Sequence, residues 1–301
     1  MMSNREPQRP VLGAIRAVTY TVPDLEAIER AYVEELGYTL ARRGRVGSGA
    51  ALTWGAPAAE GAPMLVLAPA SGEPVYLRFV EDARAAGWTA LTTFGWNATE
   101  FVVQDVDALA RRLDGGAFEI IGPPKSLTRF PMIRAMQAIG PAGECCYFTQ
   151  VGAGSGLDLA PARSFVGRVF IAVGAGPDVD ALFAPYSAFA NPVDPPVATP
   201  VTVISRAHGL PEGTLHRHGL VRLTEGTLIE LDQYPASARP RAVDAQRLVR
   251  GMAMVTFAVD LLGPHDFIAA PGACELPGLG GVAACLRGVA GELIELAAPR
   301  P

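Results

Sequence analysis

Four six-residue segments of the chain repeat one pattern: Gly72-Glu73-Pro74-Val75-Tyr76-Leu77, Gly143-Glu144-Cys145-Cys146-Tyr147-Phe148, Gly226-Thr227-Leu228-Ile229-Glu230-Leu231 and Gly291-Glu292-Leu293-Ile294-Glu295-Leu296. Each reads as a turn glycine entering a strand, so the chain is expected to contain four copies of one supersecondary unit, larger than a solenoid repeat and smaller than a typical domain. The fifth position is Tyr76, Tyr147, Glu230 and Glu295 in order, so one scaffold carries two chemistries.

The residues before each glycine share a grammar of strand, helix, then further strands. Ile15 to Val22 alternates and is β-rich, Asp24 is placed to cap a helix, and Leu25, Ile28, Tyr32 and Leu36 recur at helical spacing before Gly37. In the second unit, 99–103 reads as a strand, Asp105 starts a helix with Val106, Leu109, Ala110 and Leu113 inward, and Gly115-Gly116 ends it. The third has a strand over 168–173, a short helix from Asp178 to Phe183 and a Pro-rich stretch, 185–200, expected to be a loop covering a site. The fourth has a strand over 252–259, but Gly263-Pro264 and Pro271-Gly272 leave little room for a helix. The Gly-rich segment 152–156 is the expected linker, giving two domains of two units each, 1–155 and 156–301. It lacks the GxGxxG spacing of a phosphate-cradling loop.

Composition removes several function classes. Half of the 301 residues are hydrophobic and 18% are charged, enough to bury a substantial core. The net charge of −5 argues against nucleic acid or an anionic membrane surface as partner. The polar N-terminus and the lack of an apolar run of membrane-spanning length predict a cytoplasmic protein. Cys145, Cys146, Cys274 and Cys285 have no CxxC spacing, and the adjacent pair would face opposite sides of a strand, so reduced, buried thiols are expected. Lys125 is the single lysine, in a loop after two prolines, which gives Schiff-base chemistry little footing. There is no G-x-S-x-G elbow, Walker loop or HExxH.

The stretch from Val22-Pro23-Asp24-Leu25 through Tyr32 and Leu36-Gly37-Tyr38, the parallel Val103-Gln104-Asp105-Val106, and the four glycine-led strands resemble the vicinal oxygen chelate superfamily, which includes glyoxalases, bleomycin-resistance proteins and extradiol dioxygenases. The resemblance covers nearly all of the chain. It implies an α+β fold of four βαβββ modules, paired into two half-open barrels, one per half. It also implies a metal pattern: in metal-dependent members a residue on the first strand, usually histidine, and a glutamate on the fourth hold the cation. The glutamate slot matches Glu230 and Glu295, and is Tyr76 and Tyr147 in the first half. The first-strand slot falls on Ala17, Ala98, Arg168 and Met254 (Ala253 in a register shifted by one), none of them histidine.

The first half is therefore read as a degenerate or apolar site, since a neutral phenol cannot supply an anionic oxygen. Its one odd residue is Glu100, of the same parity as Ala98, which is expected on a solvated or salt-bridged strand face. The second half keeps two carboxylates, Glu230 and Glu295, expected to converge on one cavity where they share a proton or a cation or pair with Arg168. The other reading makes them relics or exposed strand residues. Tyr234, Met254 and Phe170 are the candidate substrate contacts.

Three of the four histidines, His208, His216 and His218, lie near one another in sequence, and His216-x-His218 on a strand places both rings on one face. A two-residue turn at Glu225-Gly226 puts Glu230 across from Val221, away from the rings, whereas a one-residue bulge joins them. In the second case His208, His216, His218 and Glu230 make a relocated site for Zn²⁺, Fe²⁺ or Mn²⁺. In the first they are ordinary strand histidines.

Two classes of function remain. One is an isomerase or lyase acting on a carbonyl-containing or aromatic metabolite, with Glu230 or Glu295 as general base and Arg168 or a histidine polarising the oxygen, metal-assisted or not. The other is a metal-free protein that sequesters an aromatic or apolar small molecule. An extradiol-type dioxygenase with a relocated metal is a further alternative. A monomer or homodimer is expected, because four internal modules need no partner to complete their barrels.

Overall fold

A computed structural model of the protein describes residues 10–127, 130–152, 159 and 161–300, and the linker expected at 152–156 lies almost wholly outside them. Four modules follow one another. The first is β1 (Ile15–Val22), α1 (Leu25–Glu34), β2 (Thr39–Arg45), α2 (Ser48–Thr53), β3 (Pro63–Ala68) and β4 (Tyr76–Glu81); the second is β5 (Gly95–Val103), α3 (Val106–Leu113), β6 (Glu119–Ser126), β7 (Ile133–Ile139) and β8 (Cys145–Val151). The third is β9 (Val166–Gly176), α4 (Val179–Leu182), β10 (Val193–Pro200), α5 (Thr202–Ala207), β11 (Leu215–Arg222) and β12 (Leu228–Gln233); the fourth is β13 (Gly251–Ala258), β14 (Gly272–Ala273), β15 (Val282–Arg287) and β16 (Leu293–Ala298), with no helix among its described residues.

The repeated glycines sit where the fourth strand of each module begins. Gly72, Gly143, Gly226 and Gly291 have φ of +72°, +84°, +66° and +85°, a left-handed turn that a side chain would strain. Aspartates set the helix starts: Asp24 accepts from the amides of Glu26 and Ala27, Asp105 from that of Ala108, and Asp178 from that of Asp180.

Sheet pairing departs from the expected one. The first sheet runs β14-β15-β16-β13-β1-β4-β3-β2 and the second β10-β11-β12-β9-β5-β8-β7-β6, so the first module joins the fourth and the second joins the third. Both central seams, β1 with β13 and β5 with β9, are antiparallel. Each half-open barrel therefore takes one module from each half of the chain, and a division into 1–155 and 156–301 would cut both sheets.

One hydrophobic core draws on both sheets, from Val18 and Tyr20 of β1 and Phe257 of β13 to Trp96 and Phe101 of β5 and Phe148 of β8, with Ile28 and Tyr32 of α1 and Leu109 of α3. Trp96 and Phe257 bring ring centroids within 6.3 Å across the two sheets. The other face of the 1+4 sheet carries a second cluster, in which Ala50 and Ala51 of α2 and Trp54 pack on Met64, Val66, Met254 and Cys285. That helix fills the first half-barrel.

Two local expectations also change. The Pro-rich stretch folds into a short 3₁₀ turn over Ala184–Ala188 and the edge strand β10, whose Pro195 and Pro196 fall at a register shift, where missing amides cost no ladder bond. The β11–β12 hairpin takes the bulged register. Glu225 and Gly226 have φ of +57° and +66°, the Thr227 amide donates to the Thr224 carbonyl, and the Leu223 amide donates to the Thr227 carbonyl at 3.0 Å. Leu220 then opposes Glu230, and His218 opposes Asp232. No helix of the described residues is long and apolar enough to cross a membrane.

Candidate active site

The pleat of the 2+3 sheet gathers polar groups on its inner face. Glu100 of β5 is in register with Tyr147 of β8 and opposite Ile171 of β9. Glu230 of β12 lies beside Val173 of β9, with Asp232 two residues on along the same face and His218 across from it on β11. Donor atoms of His218, Glu230 and Asp232 all lie within 4.8 Å of one another.

Burial and mutual repulsion govern these carboxyls. Glu100 is 9% exposed; burial first and the charge of Glu230 second, against a hydrogen bond from the Thr149 hydroxyl, push its pKa up to about 8. Its folded pKa lies above the unfolded value. Its contribution to stability is therefore complete below the ordinary carboxylate range and is lost as pH rises through about 8. Burial also raises Glu230, opposed by the charge of His218 and a hydrogen bond with Asp232. Asp232 goes well above the ordinary range through burial, the charge of Glu230 and that same hydrogen bond. Four polar atoms here have no hydrogen-bond partner: His218 Nδ1, Asp232 Oδ1, Tyr147 Oη and Tyr234 Oη. Burial raises both phenols far above their ordinary range, so they remain protonated donors.

The equivalent place in the 1+4 sheet is neutralised. Glu295 Oε2 receives Arg78 Nη2 at 2.8 Å and Thr256 Oγ1 at 2.5 Å, while its Oε1 receives Trp54 Nε1 at 2.7 Å. The Arg78 guanidinium lies 4.5 Å over the Trp54 ring and donates to Thr19 Oγ1 at 2.9 Å. Burial pushes the Glu295 carboxyl up, but the charge of Arg78 and these three donors outweigh it and hold the pKa below its usual value. A carboxylate so satisfied is a poor base.

Several expected site residues therefore change place. Glu230 and Glu295 stand in different sheets and share no cavity. Arg168 turns to the molecule's outer seam, donating to the Glu225 carbonyl and lying 3.4 Å from Glu73, because the β9 start packs on two turns that offer acceptors. Met254 belongs to the filled first barrel, against Cys285. Phe170 alternates with Ile171 and so points from the opposite face of β9 into the shared core. Of the histidines, only His218 joins Glu230. His216 Nε2 is bonded to Ser205 of α5 at 2.9 Å, and His208, just past that helix, sits between the Leu91 carbonyl and Ser237. Tyr234 does reach the cluster. Glu100, expected at the surface, is part of it, and so is Tyr147, which makes the first half a contributor rather than a degenerate site. The signal for Glu100 was its parity with Ala98; Asp232 had only its alternation with Glu230.

No protein-family model and no curated protein sequence matches the chain. Among solved structures, glyoxalase I from Zea mays is similar in fold, at 14% identity and a TM-score of 0.64, covering 95% of this chain and 92% of that one. A candidate dioxygenase from Bacillus subtilis is similar at 13% identity and a TM-score of 0.62, covering 97% of this chain and 87% of that one.

Proposed function

We propose that this chain, whose fold is that of the vicinal oxygen chelate superfamily, is a small-molecule enzyme of the isomerase or lyase kind that moves a proton at a carbon next to a carbonyl. One observation carries the reading. Glu100, Glu230 and Asp232 share one inner face with His218, and no arginine or lysine among the described residues forms an ion pair with any of the three carboxyls. Acidic groups gathered around an imidazole, with no arginine or lysine to fix their charge, are poised to hold and pass protons, and a raised pKa makes a carboxylate a stronger base.

Glu230 is the group placed for general-base work: it is half-buried, so a substrate can reach it, whereas Asp232 is 2% exposed. Asp232 keeps a proton in its bond to Glu230, and burial with the charge of Glu230 keeps Glu100, which accepts from the Thr149 hydroxyl, protonated to a higher pH than usual. The residues also fit a divalent cation, since the unpartnered His218 Nδ1 and Asp232 Oδ1, with Glu230, form the one-imidazole, two-carboxylate set that suits Zn²⁺, Fe²⁺ or Mn²⁺. A bound cation would polarise the substrate oxygen.

The test follows the carbon-bound hydrogens of hydroxyacetone by proton NMR in deuterated buffer, on wild-type protein with and without chelator. Enzyme-dependent loss of the α-hydrogen signal is expected, reduced at least ~100-fold in Glu230→Gln, the usual worth of a positioned general base. Exchange that is absent in the wild type, or equal in the variant, would end the acid–base reading. Elemental analysis of the same samples reports whether a cation accompanies the activity.

A further inference from the structure

Tyr147 and Tyr234 are the groups of this face to which proton transfer to a carboxylate gives no task. Tyr147 stands on β8 in register with Glu100, and Tyr234 extends the Glu230–Asp232 alternation just past the end of β12. The two residues are 9% and 3% exposed, and neither hydroxyl has a hydrogen-bond partner. Each lies within electrostatic reach of the other and of Glu230 and Asp232. Tyr234 is also held in place: the His208 ring meets it edge-on with centroids 5.8 Å apart, and His208 is pinned by the Leu91 carbonyl and Ser237 at 2.8 Å each.

A buried O–H without an acceptor is unfavourable, and native proteins seldom leave two together. Both phenols stand on the face of the carboxyl cluster with no acceptor of the protein's own, so a ligand on that face can supply the one they lack. We infer that Tyr147 and Tyr234 form an oxygen-binding pair, both donating to one ligand oxygen that gains negative charge as the neighbouring carbon loses its proton. Resting on the acid–base reading above, this narrows the substrate to an enolisable ketone or aldehyde. In the step, the C–H bond breaks and its proton forms an O–H bond on Glu230. The electron pair becomes the carbon–carbon double bond of an enolate, and the two phenols stabilise the charge on oxygen while keeping their own protons. Return of a proton from Glu230 to carbon restores both partners, with no oxidant or reductant involved.

Tyr147→Phe and Tyr234→Phe keep the rings and remove the hydroxyls. Absorbance titration of chelator-treated protein with 4-nitrophenol, whose phenolate oxygen resembles that of an enolate, should show at least ~10-fold weaker binding in each variant than in the wild type. Exchange of hydroxyacetone should fall by roughly 100-fold in kcat with little change in KM, the loss that follows removal of one oxyanion donor. The thermal midpoint of each ligand-free variant should be unchanged or higher, because an unsatisfied buried group has been removed. Equal nitrophenol affinity in wild type and both variants, including no binding by any of them, would overturn the pair; so would a lowered midpoint in both, which would mark the hydroxyls as structural. A Glu230→Gln protein that still exchanges sinks the acid–base reading, and the nitrophenol titration then decides the tyrosines alone.

Discussion

Glu230 and Glu295 hold the same position in their repeats and meet opposite surroundings. Arg78, 1% exposed, supplies Glu295 with a cation from its own sheet, and Trp54 and Thr256 use the remaining lone pairs. Removing one partner strands a buried charge, so Arg78→Met should lower unfolding free energy by ~3–5 kcal/mol at neutral pH in urea denaturation. Arg78→Met with Glu295→Leu should recover much of that loss, because an apolar pair leaves no charge uncompensated. A single variant as stable as the wild type would show that the pair contributes nothing. Residue identity announced the two glutamates but not their fates. Arg78 and Trp54 carry no motif, and a lone acid in an apolar strand, as at Glu100, looks like a surface residue until its neighbouring strands are known.

At the level of elements, the local signals were direct. Asp24, Asp105 and Asp178 cap the helices as their spacing predicted, and the four repeat glycines turn into their strands. What was open was the β11–β12 register, since a shift of one residue moves every side chain to the other face. Both alternatives used the same Glu225-Gly226 turn, and the choice rests on the bulge at Leu223 and Thr227, which no residue type demands. The turn now places His218 beside the carboxyls. Gly226→Ala, at φ +66°, should cost about 1–2 kcal/mol in urea denaturation, and a cost near zero would show that the turn does not set the register. The Pro-rich stretch illustrates the converse: proline marks a break in a central strand, yet an edge strand tolerates it.

For the whole molecule, the modules were legible and their pairing was not. Four copies of one repeat offer similar first strands, so nothing in a single module says which other it will meet; the seams β1–β13 and β5–β9 depend on side chains scattered over both halves. The outcome separates a filled barrel from one whose acidic face pairs with no arginine or lysine among the described residues. The α2 helix fills the first, whereas in the second the corresponding helix α5, also between the second and third strands of its module, turns Ser205 onto His216. The direct test is a carboxyl-carbon NMR titration of protein labelled with ¹³C-glutamate, assigned through Glu100→Gln and Glu295→Gln. Glu100 should titrate near pH 8 and Glu295 below the ordinary glutamate range; two ordinary titrations, or the high value on Glu295, would contradict a working face on the 2+3 sheet.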